Sequence, residues 1–282
     1  MRIITVTVIC VVFCSCVGTP IAFLRDTTVI PVAPGARVYC RVVDVAQARH
    51  LLNPLSLGTL SLDQASPILD KTTSAVAAWY ASDAQQRFMA VAHGKYPQVQ
   101  AQALFTFSSD WSQRSSPNGS YWYSTSNNIA VSLNANQVLV SDRNPLAFGS
   151  GVRYPQDFES LSNSAILGFW FDRADLINEF LASRQVPMQI PAERVLIFLY
   201  EAAQQYTINA HFVAKDEATA RGLISLFSVI RPFISNLDKK VFPLVQELFL
   251  KTPTVEGTSV IVQSGPFSAE ELVLLFSNVS LL

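Results

Sequence analysis

Residues 216–251 read DEATARGLISLFSVIRPFISNLDKKVFPLVQELFLK, and their apolar side chains recur every three or four residues. That spacing places them along one face of a helix. Pro232 and Pro243 lack the amide hydrogen that an uninterrupted helix needs, so we expect two or three kinked helical pieces. The apolar face, called here the 223–248 stripe, consists of Leu223, Phe227, Ile230, Ile234, Leu237, Val241, Val245 and Leu248.

Two different environments for the 223–248 stripe are consistent with this pattern. The stripe can pack on a sheet, as apolar helix faces in globular proteins usually do. It can instead lie in a membrane interface, with the basic residues of the opposite helix face near lipid headgroups. Under the second hypothesis all of the stripe residues are candidate contacts with membrane lipid or with a fatty acid.

Strands and helices alternate on both sides of this segment. A hairpin is predicted over 194–200 and 206–213, after which Asp216 is placed to cap a helix, and Asp44 is placed to cap a helix over 45–52. Other predicted strands cover 37–43, 87–93, 121–124, 129–133, 138–141, 165–171 and 258–263. Other predicted helices cover 62–80, 97–107, 173–183 and the residues after a capping box at 268–271.

This alternation predicts an α+β fold, with two similar α/β halves whose mixed or antiparallel sheets are covered by amphipathic helices. The first half is expected over residues 36–145 and the second over 164–282, which includes the helical region 216–251. Residues 146–163 are rich in Pro, Gly, Ser and Asn and are expected to form a connecting loop.

The composition excludes two broad classes of protein. The chain has 282 residues, of which 50% are hydrophobic and 15% are charged, and its formal net charge is −1. It is too apolar to be intrinsically disordered, and too neutral to bind nucleic acid through a basic surface.

The N-terminus, MRIITVTVICVVFCSC, has the pattern of an export signal, because one basic residue precedes a short apolar run. Ser15 is a small residue directly before Cys16, which is the arrangement of a bacterial lipoprotein signal. We therefore expect a signal peptide over 1–15, lipid attachment at Cys16 and a tether over 16–35. The alternative is an ordinary signal peptide with cleavage after Ala22.

The sequence contains no catalytic or metal-binding motif. His50, His93 and His211 form no zinc-ligand pattern, and there is no nucleophile elbow or phosphate-binding glycine loop. We therefore expect that the protein is not an enzyme and that it has no cofactor and no metal site. Cys40 lies in a predicted strand and is expected to be a buried structural thiol.

Four aromatic residues cluster around residues 115–119, and they are Trp111, Tyr121, Trp122 and Tyr123. Aromatic rings can stack on sugars or simply fill a core. Alternation along a strand would place Tyr121 and Tyr123 on one side and Trp122 on the other.

The relaxed lipid box Phe13-Cys14-Ser15-Cys16, followed by a body with few charges and several amphipathic helices, resembles spirochaete outer-membrane-associated lipoproteins that bind lipid through amphipathic helices. The resemblance implies a non-enzymatic envelope protein, lipid-anchored on the periplasmic face of the outer membrane. Its implied partners are membrane lipid or fatty acid. The alternatives are a periplasmic module that binds envelope proteins, or a lipoprotein that binds a glycan or solute.

Overall fold

A 12-stranded antiparallel sheet forms the centre of the fold in the described residues. The structure is a computed structural model that describes residues 29–30, 32, 34–52, 68–81, 87–147, 151–183, 189–236 and 243–277. Helices pack on the sheet, so the predicted α+β class is confirmed.

The large sheet runs in the order β13-β14-β12-β11-β10-β2-β3-β4-β8-β7-β6-β5, and β1 pairs with β9 in a separate two-stranded ribbon. The strands are β1 Val29–Ile30, β2 Val38–Val42, β3 Thr72–Trp79, β4 Phe88–Gly94, β5 Trp111–Ser116, β6 Gly119–Ser124, β7 Ile129–Leu133, β8 Gln137–Ser141, β9 Val152–Arg153, β10 Leu167–Phe171, β11 Arg194–Ala202, β12 Gln205–Val213, β13 Thr254–Glu256 and β14 Ser259–Phe267. The helices are α1 Val45–Leu52, α2 Gln98–Phe107, α3 Gln156–Ser162, α4 Asp175–Ser183, α5 Glu217–Ser235, α6 Pro243–Phe249 and α7 Ala269–Ser277.

The two parts of the chain meet in the middle of the large sheet. Strands β2–β8 form one side and β10–β14 form the other, and the β2–β10 ladder joins them with Cys40 opposite Phe169. Residues 146–163 include β9 and α3, so this stretch holds regular structure as well as loop.

The helices lie mainly on one face of the sheet, called here the helical face. The core under α1, α4, α5, α6 and α7 includes Ala75 of β3, which pairs with Ala92 in the core under α2. Cross-strand partners point to the same side of a sheet, so both cores share one face. The opposite face is covered by α3, through Phe158, and by the β1–β9 ribbon, through Ile30.

The predicted helix starts are confirmed by hydrogen bonds. The Asp44 carboxylate accepts from the Gln47 amide at 3.1 Å before α1, and the Asp216 carboxylate accepts from the Thr219 amide at 2.7 Å before α5. Ser268 and Glu271 form a reciprocal capping box before α7, at 2.8 and 3.2 Å.

The predicted helix over 62–80 is wrong for the residues that the structure describes as strand β3, while 53–67 lie outside the described residues. Ala and Val at 75–78 are compatible with either structure in isolation. β3 pairs on both sides, with β2 and with β4, and this pairing determines the conformation. Strand β5 was also not predicted, because Ser112–Ser116 carries no apolar alternation.

Candidate functional site

Those residues of the 223–248 stripe whose side chains the structure describes are buried in the core. Leu223, Phe227, Ile230, Ile234 and Leu248 are between 0% and 5% exposed. The interior placement corrects the hypothesis of an outward, lipid-contacting stripe for these five side chains. Leu237 and Val241 lie outside the described residues, as does Cys16, and Val245 lies in α6 with its side chain outside the description.

Contacts between aromatic rings pack this stripe against the sheet. The Phe227 ring stacks on Phe249 of α6 with centroids 5.1 Å apart, and meets Phe212 of β12 edge-on at 5.2 Å. β12 and β14 present buried apolar residues, Phe212, Val260 and Val262, to the helical face. These residues require an apolar cover, which α5 and α6 provide.

Helix α2 instead presents apolar residues to solvent. Val99, Leu104 and Phe107 are 63%, 70% and 88% exposed, and no residue of the helix is buried. Val99, Ala103 and Phe107 recur at four-residue spacing, with Leu104 bordering them, so they form one outward face. No charged residue occurs between Lys95 and Asp110. We call Val99, Leu104 and Phe107 the α2 patch.

The opposite side of α2 is held by the aromatic cluster. Phe105 lies 4.7 Å from the Trp111 ring and 5.8 Å from the Trp122 ring, measured between centroids. These contacts orient the helix so that the α2 patch must face outward. The two tryptophans therefore support α2 from the helical face of the sheet.

The tyrosines of the cluster lie on the other side of the sheet, as strand alternation predicts. Tyr121 packs against the core of that face. The Arg114 guanidinium stacks over the Tyr123 ring at 3.7 Å, and the Tyr123 hydroxyl donates to Asn128 at 2.7 Å. The cluster is thus divided between two faces and does not form one continuous aromatic platform.

A second, smaller apolar patch lies on the outer flank of α5. Val229 and Phe233 are 56% and 45% exposed, and Leu226 on the same flank is half-buried. We call Val229 and Phe233 the α5 patch. α5 therefore has two apolar sides, one in the core and one partly open to solvent.

The polar groups of the described residues include a buried thiol and an ion pair that lines a cleft. Burial raises the pKa of the Cys40 thiol to about 12, so the thiol is neutral at physiological pH. A cleft of about 530 Å³ is lined by Pro155, Gln156, Asp157, Ser160 and Arg194, and Arg194 pairs with Asp157 at 3.0 Å.

Two further findings apply to the described residues alone. Within them, no group of three or more His, Cys, Asp or Glu side chains is arranged to hold a metal ion. None of the helices described here is both long enough and apolar enough to cross a membrane.

No protein-family model matches the chain, and no curated protein matches it in sequence. Solved structures similar to it include crystal forms of TP0453, a protein of the spirochaete Treponema. Crystal form I is 18% identical with a TM-score of 0.61, and the match covers 90% of this chain and 98% of that one. Crystal form IV is 20% identical with a TM-score of 0.59, covering 88% and 95%. The chain therefore shares the fold of a spirochaete protein.

Proposed function

We propose that the chain is a lipid-anchored lipoprotein of the bacterial envelope that contacts a membrane surface and has no enzymatic activity. The observation that carries the proposal is the α2 patch, three large apolar side chains exposed on a helix without charges. The proposed anchor is Cys16, and the proposed location is the periplasmic face of the outer membrane.

The energetics favour a lipid surface for the α2 patch. Transfer of a Val, Leu or Phe side chain out of water contributes roughly 1.5–3 kcal/mol each, or at most roughly 4.5–9 kcal/mol for the three. Interfacial binding of this strength is reversible, and an anchor on the same chain would raise the effective concentration of the patch at the membrane. An exposed apolar patch of this kind is typical of a surface that binds a membrane or another protein.

The membrane contact can be tested by liposome flotation of residues 17–282, which lack any lipid. We expect the chain to float with vesicles, and the double variant Leu104→Ser with Phe107→Ser to lose most of that binding. Both side chains are exposed, so the variant keeps its fold, which circular dichroism verifies. Flotation of the double variant at the wild-type level would rule out the α2 patch as the membrane contact.

The α5 patch provides the matched comparison. Val229→Ser with Phe233→Ser removes two exposed apolar side chains from another helix on the same face of the sheet. We expect a smaller loss of flotation, because these side chains are less exposed than those of α2. If only the α5 variant stops floating, the membrane contact is the α5 patch and not the α2 patch.

The anchor is tested separately, by mass spectrometry of the N-terminus of the native protein. Cleavage before Cys16 with an acylated cysteine is the expected result. Cleavage after Ala22 without a lipid would overturn the anchor. Fatty-acid binding is a finer form of the proposal, and it is tested by extracting the purified chain and identifying any lipid that co-purifies.

A further inference from the structure

The two ends of the large sheet differ in how they are protected. Among the described strands, β13 is terminal at one end, with three residues, a preceding Pro253 and the charged Glu256. Strand β5 is terminal at the other end and has six residues, no proline and one charge, Arg114. Natural sheets protect exposed edges with short strands, prolines and charges. β5 lacks most of these protections.

The hairpin geometry shows which backbone groups of β5 point outward. Ser116 pairs with Gly119 across a two-residue turn, so this pair is hydrogen-bonded within the hairpin. Such pairs alternate along a ladder, so Ser112 and Arg114 also bond to β6. Trp111, Gln113 and Ser115 therefore direct their carbonyl and amide groups toward the outer edge of the sheet, where no described strand pairs with β5. The Trp111 amide is the exception, since it makes a long bond of 3.4 Å to the Ser108 carbonyl.

We propose that β5 is an interface for a second copy of this chain, which pairs antiparallel along the free edge and continues the sheet. A two-fold axis perpendicular to the sheet keeps each face on its own side, so the pairing must be centred on a single residue. The interface is independent of the proposed membrane contact.

Gln113 is the centre that the strand supports best. This register sets Gln113 opposite Gln113 of the second copy and Trp111 opposite Ser115, so that all outward-pointing residues meet one another. Centring on Arg114 would place two guanidinium groups directly opposite, which is unfavourable. Centring on Ser112 would pair only residues 111–113 of each strand, whereas centring on Gln113 pairs residues 111–115.

Charge is also compatible with the Gln113 register. Arg114 then lies opposite Ser112 of the second copy, the second Arg114 is one of its diagonal neighbours there, and Asp110 lies in the turn directly before that strand. Asp110 and Arg114 are both exposed, so the carboxylate is available to the guanidinium. Asp110 thus provides a negative charge near the Arg114 guanidinium groups of the two copies.

The geometry predicts a weak dimer that places both α2 helices on one side of the joined sheet. A single pair of short strands buries less surface than the standard protein interface, so the dimer is expected to be transient in dilute solution. Concentration of the chain at a surface would favour it. The experiment must therefore trap the pair covalently.

Disulfide trapping distinguishes the Gln113 register from random collision. In residues 17–282 Cys40 is the sole cysteine, and it is buried. Gln113→Cys places two thiols opposite each other with Cα atoms about 5.5 Å apart, within the range of a disulfide. Ser115→Cys is the matched control, because its two copies lie four residues apart, about 13 Å along the strand.

We expect Gln113→Cys to form a disulfide dimer about ten times faster than Ser115→Cys under mild oxidation, without lipid present. Adding Ser115→Pro to Gln113→Cys removes one outward amide and should slow the trapping, while circular dichroism verifies the fold. Equal rates for the two cysteine variants, or no dimer from either, would overturn the interface. Neither result depends on liposome flotation, so failure here leaves the membrane proposal intact.

Discussion

Replacing Phe227 by alanine distinguishes the core location of the 223–248 stripe from a lipid-facing one. The side chain is 1% exposed and its ring contacts Phe212 and Phe249 at centroid distances of 5.2 and 5.1 Å. Removing a buried Phe ring loses its burial free energy and leaves a cavity, which together cost about 3–5 kcal/mol. That is a large part of the roughly 5–15 kcal/mol by which a domain is stable.

The measurement is the free energy of unfolding, obtained from urea denaturation followed by circular dichroism. Val229→Ala is the control on the same helix, because its side chain is 56% exposed and its loss should change stability by less than about 0.5 kcal/mol. We also expect Phe227→Ala, while folded, to float with liposomes as the wild type does. A loss of stability below about 1 kcal/mol, accompanied by reduced flotation, would refute the core location.

Three other predictions concern single residues. Gly94→Ala should destabilise the protein by more than about 1 kcal/mol in urea denaturation, because the added Cβ would overlap the Lys71 carbonyl oxygen. The control is Gly222→Ala, which has open space around it in helix α5 and should stabilise the protein by about 0.5–1 kcal/mol. Equal effects of the two substitutions would refute the packing at Gly94. Cys40 should resist a thiol reagent at pH 8 in the folded chain 17–282 and react fully in urea, since burial raises its pKa to about 12; rapid labelling of the native protein would contradict this. Hydrogen bonds from Thr219 lower the pKa of Asp216, so the contribution of this carboxylate to stability is present above the ordinary Asp pKa of 3.8 and is lost as the pH falls through the lower pKa of the folded state. Asp216→Ala should therefore lower the melting temperature at pH 7 and have little effect at pH 2. An equal effect at both pH values would argue against the cap.

Local signals were sufficient for much of the fold. The caps at Asp44 and Asp216 and the capping box at Ser268 each involve residues three positions apart, so the sequence alone identifies them. The hairpin of β11 and β12 was likewise predictable from two apolar runs around a short turn. Elements whose conformation depends on residues distant in sequence were not predictable in this way. Strand β3 is the example, because its pairing with β2 and β4 determines that it is a strand.

The candidate site was harder to predict than the fold. In α2, Val99, Leu104, Phe105 and Phe107 are all apolar, so no side of the helix is marked as the inner one. Contacts with Trp111 and Trp122 select Phe105 for the interior and leave the α2 patch outside. Those contacts depend on the β5–β6 hairpin, whose first strand has no apolar alternation.

The sequence by itself predicted helices with an apolar face in residues 216–251, because the period of apolar residues depends on backbone geometry alone, and the structure describes two of them, Glu217–Ser235 and Pro243–Phe249. It also determined where the helices start, through their capping residues. Only the tertiary structure decided what covers that face. Burial depends on which surfaces the chain brings together, and the apolar side of β12 and β14 takes up the described part of the 223–248 stripe. Among the described residues, the most exposed large apolar side chains are those of the α2 patch, which periodicity did not single out.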